Sequence, residues 1–87
     1  MSTIKVRVLY FAVLRDATGL EAESLEIPSE TTVSRLLDHV KRLHPGASEM
    51  VDRALVARNR EYVDGDSTLE EGDTIALIPP VSGGRIP

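Results

Sequence analysis

Residues 33–44 read VSRLLDHVKRLH, and the spacing of their apolar positions decides the fold. Val33, Leu36, Leu37, Val40 and Leu43 recur at i, i+3, i+4 and i+7, which gives one apolar stripe on a single amphipathic helix. Thr32 (or Thr31) is placed to cap its N-terminus, because a hydroxyl can accept one of the unpaired backbone N–H groups. His44-Pro45-Gly46 supplies the stop: proline cannot continue the ladder, and glycine tolerates a left-handed cap.

What precedes the helix reads as two strands. Residues 4–12 (IKVRVLYFA) are rich in β-branched and aromatic types, with Val6, Val8 and Tyr10 expected on one face. VLRDATG is a short helical turn or loop closed by Gly19. Residues 22–27 (AESLEI) alternate again and stop at Pro28, as a second strand hairpinned to the first. After the helix an irregular stretch is expected, then ALVARN (54–59), a short EYV strand and the turn DGDS. TIALI (74–78) follows the turn EEGD as the final strand.

A hairpin, a crossing helix and a returning last strand make an α+β mixed sheet with one main helix on one face. The last strand is expected beside the first and parallel to it, in a right-handed sense. That is a β-grasp, or ubiquitin-like, layout. Residues 1–82 are read as the domain and 83–87 as a flexible Gly-Gly tail with a short C-terminal extension.

Composition narrows the function. Eighty-seven residues, 41% hydrophobic and 28% charged, suit one small globular domain. With no cysteine, disulfides, thiolate metal sites and a cysteine nucleophile are excluded. A net charge of −4 argues against a general nucleic-acid binder. No apolar run has the length of a membrane span and no signal peptide is read at the start, so a cytoplasmic protein is expected. His39 and His44 lie five apart, off the spacing of a helical metal pair, and both are expected on the surface. Asp64, Asp66, Glu70, Glu71 and Asp73 do not form a calcium loop: from Asp64, position six is Leu69 and position twelve Ile75. No metal site is expected.

Two features remain. On the first strand, Leu9 and Phe11 alternate with the core set, on the face that carries Lys5 and Arg7. On the last strand Ile75 and Leu77 are expected inside, leaving Ala76 and Ile78 outside. If these strands are parallel neighbours, Leu9, Phe11 and Ile78 form an apolar patch where the chain leaves the sheet. Burying such side chains against a partner is worth about 1.5–3 kcal/mol each. The second feature is the exit itself. Pro79-Pro80 ends the strand and stiffens the chain, Val81 and Ser82 follow, and Gly83-Gly84 has no side chain to obstruct a narrow channel. A frayed terminus would also be rich in glycine.

VRVLYFAVLRDATG, NREYV and above all EGDTIALIPPVSGG resemble the MoaD/ThiS sulfur-carrier family, over residues 4–84. The resemblance implies that Gly84, with Gly83 before it, does the chemistry. An E1-like adenylating enzyme would spend ATP on the Gly84 carboxylate, and a sulfur donor would convert the acyl-adenylate to a thiocarboxylate. The acceptor it implies lies in molybdopterin (molybdenum cofactor) biosynthesis, with the large subunit of molybdopterin synthase as partner. The chain itself would hold no cofactor tightly and would act as a sulfur-donating subunit. Phe11, Arg15 and Ile78 match family positions that touch partners; Leu9, Pro79, Pro80 and Val81 are assigned to the same surface.

Arg85-Ile86-Pro87 departs from the pattern, because a carrier needs Gly84 to own a free carboxylate. Three readings stand open: a precursor cut by a processing protease, a fusion remnant, or an unactivated paralogue, with the precursor favoured. The competing functions are a ubiquitin-like protein modifier, a carrier for thiazole or cysteine synthesis, and a β-grasp binding module that is never activated.

Overall fold

Val6, Val8 and Tyr10 are at most 2% exposed, so the alternation along the first strand sorts its side chains as the sequence implies. The computed structural model describes residues 2–80. Strand β1 (Thr3–Tyr10) leads into a short helix α1 (Val13–Thr18), closed by Gly19 in the left-handed conformation at φ 77°. Strand β2 (Ala22–Pro28) pairs antiparallel with β1, and helix α2 (Val33–Leu43) crosses back over the sheet.

Two departures follow α2. Its cap is His44, at φ −131°, and Pro45 then opens a 3₁₀ turn through Ala47 instead of Gly46 closing a left-handed cap. The stretch expected to be irregular holds a second short helix, α3 (Ser48–Arg53), whose Val51 is fully buried together with Ala47. Leu43 is 45% exposed, because the apolar stripe drifts off the sheet in the last turn. At the other end, Thr32 caps α2 as expected, its Oγ1 accepting from the Arg35 N–H at 3.3 Å.

Strands β3 (Leu55–Arg58), β4 (Glu61–Tyr62) and β5 (Thr74–Ile78) complete a five-stranded sheet of order β2-β1-β5-β3-β4. β5 runs parallel to β1 at the centre, and β3 is antiparallel to β5. One face of the sheet packs on Val33, Leu36 and Val40 of α2, with Leu14, Val51 and Leu69 closing the core. Among the described residues, no helix lies on the other face. That asymmetry makes the patch possible.

Candidate functional site

Register places the outer side chains in rows. Leu9 pairs with Ala76, Ala76 with Ala57, and Ala57 with Tyr62, so one row runs across β1, β5, β3 and β4 on the uncovered face. Leu55 and Ile78 pair in the row nearer the end of β5. Leu9, Phe11, Ala57, Tyr62, Ala76 and Ile78 line a shallow apolar concavity, with Asn59, Arg60 and Thr74 on its polar side. The two alanines form its floor because they are the smallest side chains in the row. Phe11 is 44% exposed and Tyr62 71%, an unusual display of aromatic surface on one small sheet.

Strained backbone frames this surface. Ala12 sits at φ 52°, ψ −126°, a region essentially reserved for glycine, and it turns the chain so that Phe11 stays at the rim. Asn59 (φ 51°) and Arg60 (φ 78°) form the two-residue connection between β3 and β4, where positive φ at both central positions matches the strand twist. Asn59 also anchors that hairpin to β5. Its Nδ2 donates to Asp73 Oδ1 at 3.0 Å, and its Oδ1 accepts from the Thr74 N–H at 2.9 Å. The buried Asp73 in turn accepts from the Glu70 N–H through Oδ2 at 2.8 Å. Gly72, at φ 85°, lets the turn close with its N–H donating to the Lys5 carbonyl.

The structure brings Leu9, Phe11 and Ile78 together as the alternation implies. Arg15 lies beside them, lining a neighbouring hollow with Arg7, Leu9 and Phe11. Pro79 is half-buried and Pro80 exposed, continuing directly from Ile78. Val81, Gly83 and Gly84 lie outside the described residues, as do Arg85, Ile86 and Pro87. Sequence reasoning missed Tyr62, Leu55 and Ala57. The pairing of β3 with β5 puts them on this face, and strand pairing is not visible in local periodicity.

His44 is not a surface residue: its side chain is 17% exposed and its Nε2 lies 2.7 Å from Glu23 Oε2. Tyr10 donates its hydroxyl to the same carboxylate oxygen, and its ring meets the His44 ring edge-on at 5.8 Å. Burial first, then the Glu23 hydrogen bond and charge, push the Tyr10 phenol well above its ordinary range. This cluster is on the helix-covered side of the sheet, away from the apolar concavity. Among the described residues no group of three or more His, Asp or Glu is placed to hold a metal, and no helix is long and apolar enough to cross a membrane.

The ThiS family matches residues 8–84. The chain is 39% identical over 83 residues to the human molybdopterin synthase sulfur carrier subunit, covering 92% of this chain and 94% of that one. It is 34% identical to the Arabidopsis thaliana protein of the same description, covering 95% and 86%. Among solved structures, molybdopterin converting factor subunit 1 of Pyrococcus furiosus superposes with a TM-score of 0.83 at 34% identity, over 90% of this chain and 99% of that one. Small archaeal modifier protein 1 of Haloferax volcanii gives 0.83 at 27% identity over the same shares. A complex of subunits 1 and 2 of the molybdopterin-converting factor of Helicobacter pylori gives 0.64 at 26%, over 93% and 100%. This chain, a β-grasp domain whose last strand ends at Pro79-Pro80, thus belongs to the ThiS family.

Proposed function

We propose that this chain is the sulfur-carrier subunit of a molybdopterin synthase, with Gly84 as the residue that carries sulfur. The observation that supports this most directly is the position of the apolar concavity: β5 ends at Ile78 on its rim, so a partner seated there receives the chain that follows. The family match also ends on Gly84. The large synthase subunit is the partner by analogy with the two-subunit Helicobacter pylori complex.

The chemistry needs a free Gly84 carboxylate. One of its oxygens attacks the α-phosphorus of ATP on an E1-like enzyme, releasing pyrophosphate and leaving an acyl-adenylate. A donor of sulfide-level sulfur then attacks the acyl carbon, the bond to the AMP oxygen breaks, and AMP leaves, giving a thiocarboxylate. The glycine pair admits main chain to a narrow channel with no Cβ to obstruct it. ATP belongs to the activating partner, and this chain contributes the docking face and the acyl group. A peptide bond to Arg85 blocks the first step, so a processing protease cutting after Gly84 belongs to the same proposal.

A second reading rests on the likeness to small archaeal modifier protein 1. The same activated Gly84 would then acylate a lysine amine instead of accepting sulfur. The test is to incubate the chain ending at Gly84 with ATP, activating enzyme and sulfur donor, then with the large subunit. Replacement of a carboxyl oxygen by sulfur, followed by its loss to the molybdopterin precursor, is expected. Conjugates of higher mass without sulfur transfer would favour the modifier reading.

A further inference from the structure

Strand β2 is an edge of the sheet, and its outward backbone groups can be assigned. Tyr10 N–H donates to the Glu21 carbonyl at 2.9 Å, and Ser29 N–H to the Ser2 carbonyl at 3.1 Å. With Val8 opposite Glu23, Val6 opposite Leu25 and Ile4 opposite Ile27, antiparallel alternation commits Glu23, Leu25 and Ile27 to β1. The N–H and C=O groups of Ala22, Ser24 and Glu26 therefore point away from the sheet. Ser24 and Glu26 are exposed, and these three residues make no backbone hydrogen bond outside the strand among the described residues.

Beside this edge runs a stripe of basic side chains. Arg35, His39 and Arg42 of α2 line a cleft with Glu26, Ile27, Pro28 and Thr31 of the β2 side. The ion pairs among the described residues are Lys41 with Asp38 and Asp52, and His44 with Glu23, so none of the three is engaged in one. Glu26 forms no ion pair with them among the described residues; its carboxylate accepts instead from Thr3 Oγ1 at 2.8 Å. On a chain of net charge −4, a basic stripe bordering an open strand edge is a local reversal of sign.

We propose that the free edge of β2 and the Arg35–His39–Arg42 stripe form a docking groove for an extended acidic segment of a partner protein. The segment adds as a further strand beside β2. Main-chain bonds to Ser24 and Glu26 supply affinity, and its alternate acidic side chains meet the stripe and supply specificity. A second copy of this chain is the poorer occupant. Pairing two β2 edges about a two-fold axis sets the two α2 stripes side by side, like charge against like. The groove lies at the opposite edge of the sheet from β4, so it is separate from the concavity.

The test is an amide chemical-shift titration of the isotope-labelled full-length chain with a capped peptide of alternating glutamate and valine. Saturable shifts are expected at Ala22, Ser24 and Glu26 and along α2, with no response to the same peptide carrying lysine for glutamate. Arg35→Glu with Arg42→Glu should weaken binding about tenfold or more. Ser24→Pro removes an outward N–H without touching the β1 ladder and should also weaken it, provided the amide spectrum stays dispersed. The arginine variant touches no ladder bond and decides the matter if Ser24→Pro misfolds. Four results would overturn the proposal: no response; shifts at Leu9, Phe11 and Ile78 instead; shifts confined to α2 and reproduced by inorganic phosphate; or concentration-dependent shifts at β2 with no peptide, which would mean self-association.

Discussion

Ala57 and Ala76 stand opposite one another in the β3–β5 ladder, on the face of the sheet that no helix covers among the described residues. Leu9 flanks the pair on one side and Tyr62 on the other, so two methyl groups separate larger side chains and leave a hollow. Under the proposed function, this hollow would receive an apolar knob from the partner, whereas a core position would be filled from within the chain.

Phe11 at its rim is the simplest probe. Phe11→Asp should change stability by less than about 1 kcal/mol, since Phe11 lies outside the buried core and is 44% exposed. Affinity for the large subunit or the activating enzyme should fall about tenfold or more, the loss of one buried aromatic contact. Calorimetric titration paired with thermal melting checks both. A severe loss of stability with unchanged affinity would make Phe11 a core residue.

Ala12 holds Phe11 in place at a backbone cost. Ala12→Gly removes the Cβ from a φ of 52° and should stabilise the fold by about 1 kcal/mol, net of the added freedom of the unfolded chain. Denaturant unfolding measures it. Destabilisation by glycine would show that Ala12 carries no strain.

Asn59 ties the β3–β4 hairpin to β5. Asn59→Ala loses two hydrogen bonds and leaves a non-glycine residue at positive φ, so a cost of about 1–3 kcal/mol is expected. Because Arg60 and Tyr62 ride on that hairpin, partner affinity should fall as well. Asn59→Asp, which keeps the acceptor for Thr74, should recover part of the stability at most, since it faces Asp73.

Tyr10 links stability to alkaline pH. Its phenol is raised in the folded chain above the ordinary value of 10.0, so folding favours the protonated form. The contribution is complete below pH 10 and shrinks as pH rises past it, because the unfolded chain then loses a proton the folded chain keeps. Stability should decline above about pH 10, and Tyr10→Phe should flatten that decline. In Tyr62→Phe, Tyr10 is the remaining tyrosine, and its tyrosinate absorbance should stay absent until the chain unfolds.

The strands and α2 were legible because each announces itself locally, by period-two or period-3.6 spacing and by a turn at its end. β5, from Thr74 to Ile78, could be read to the residue because EEGD and Pro79 bound it. α3 was not legible: SEMVDR has a single fully buried apolar residue, Val51, too few for a period. His44 looked like a helix-end surface residue until β2 brought Glu23 to it from 21 positions away. The concavity was legible only in part. Leu9, Phe11, Ala76 and Ile78 follow from alternation along the first and last strands, while Ala57 and Tyr62, with Leu55 beside Ile78, join only through pairing between strands.

The central claim is that Gly84 carries sulfur and that the peptide bond to Arg85 prevents it. The most direct measurement compares two chains by intact mass after incubation with the same activating enzyme, ATP and sulfur donor. One chain ends at Gly84; the other keeps Arg85-Ile86-Pro87. Sulfur in place of a carboxyl oxygen is expected on the chain ending at Gly84 and absent from the longer one until a protease trims it. Equal sulfur on the C-terminus of the uncut chain would contradict the claim and remove Gly84 from its role.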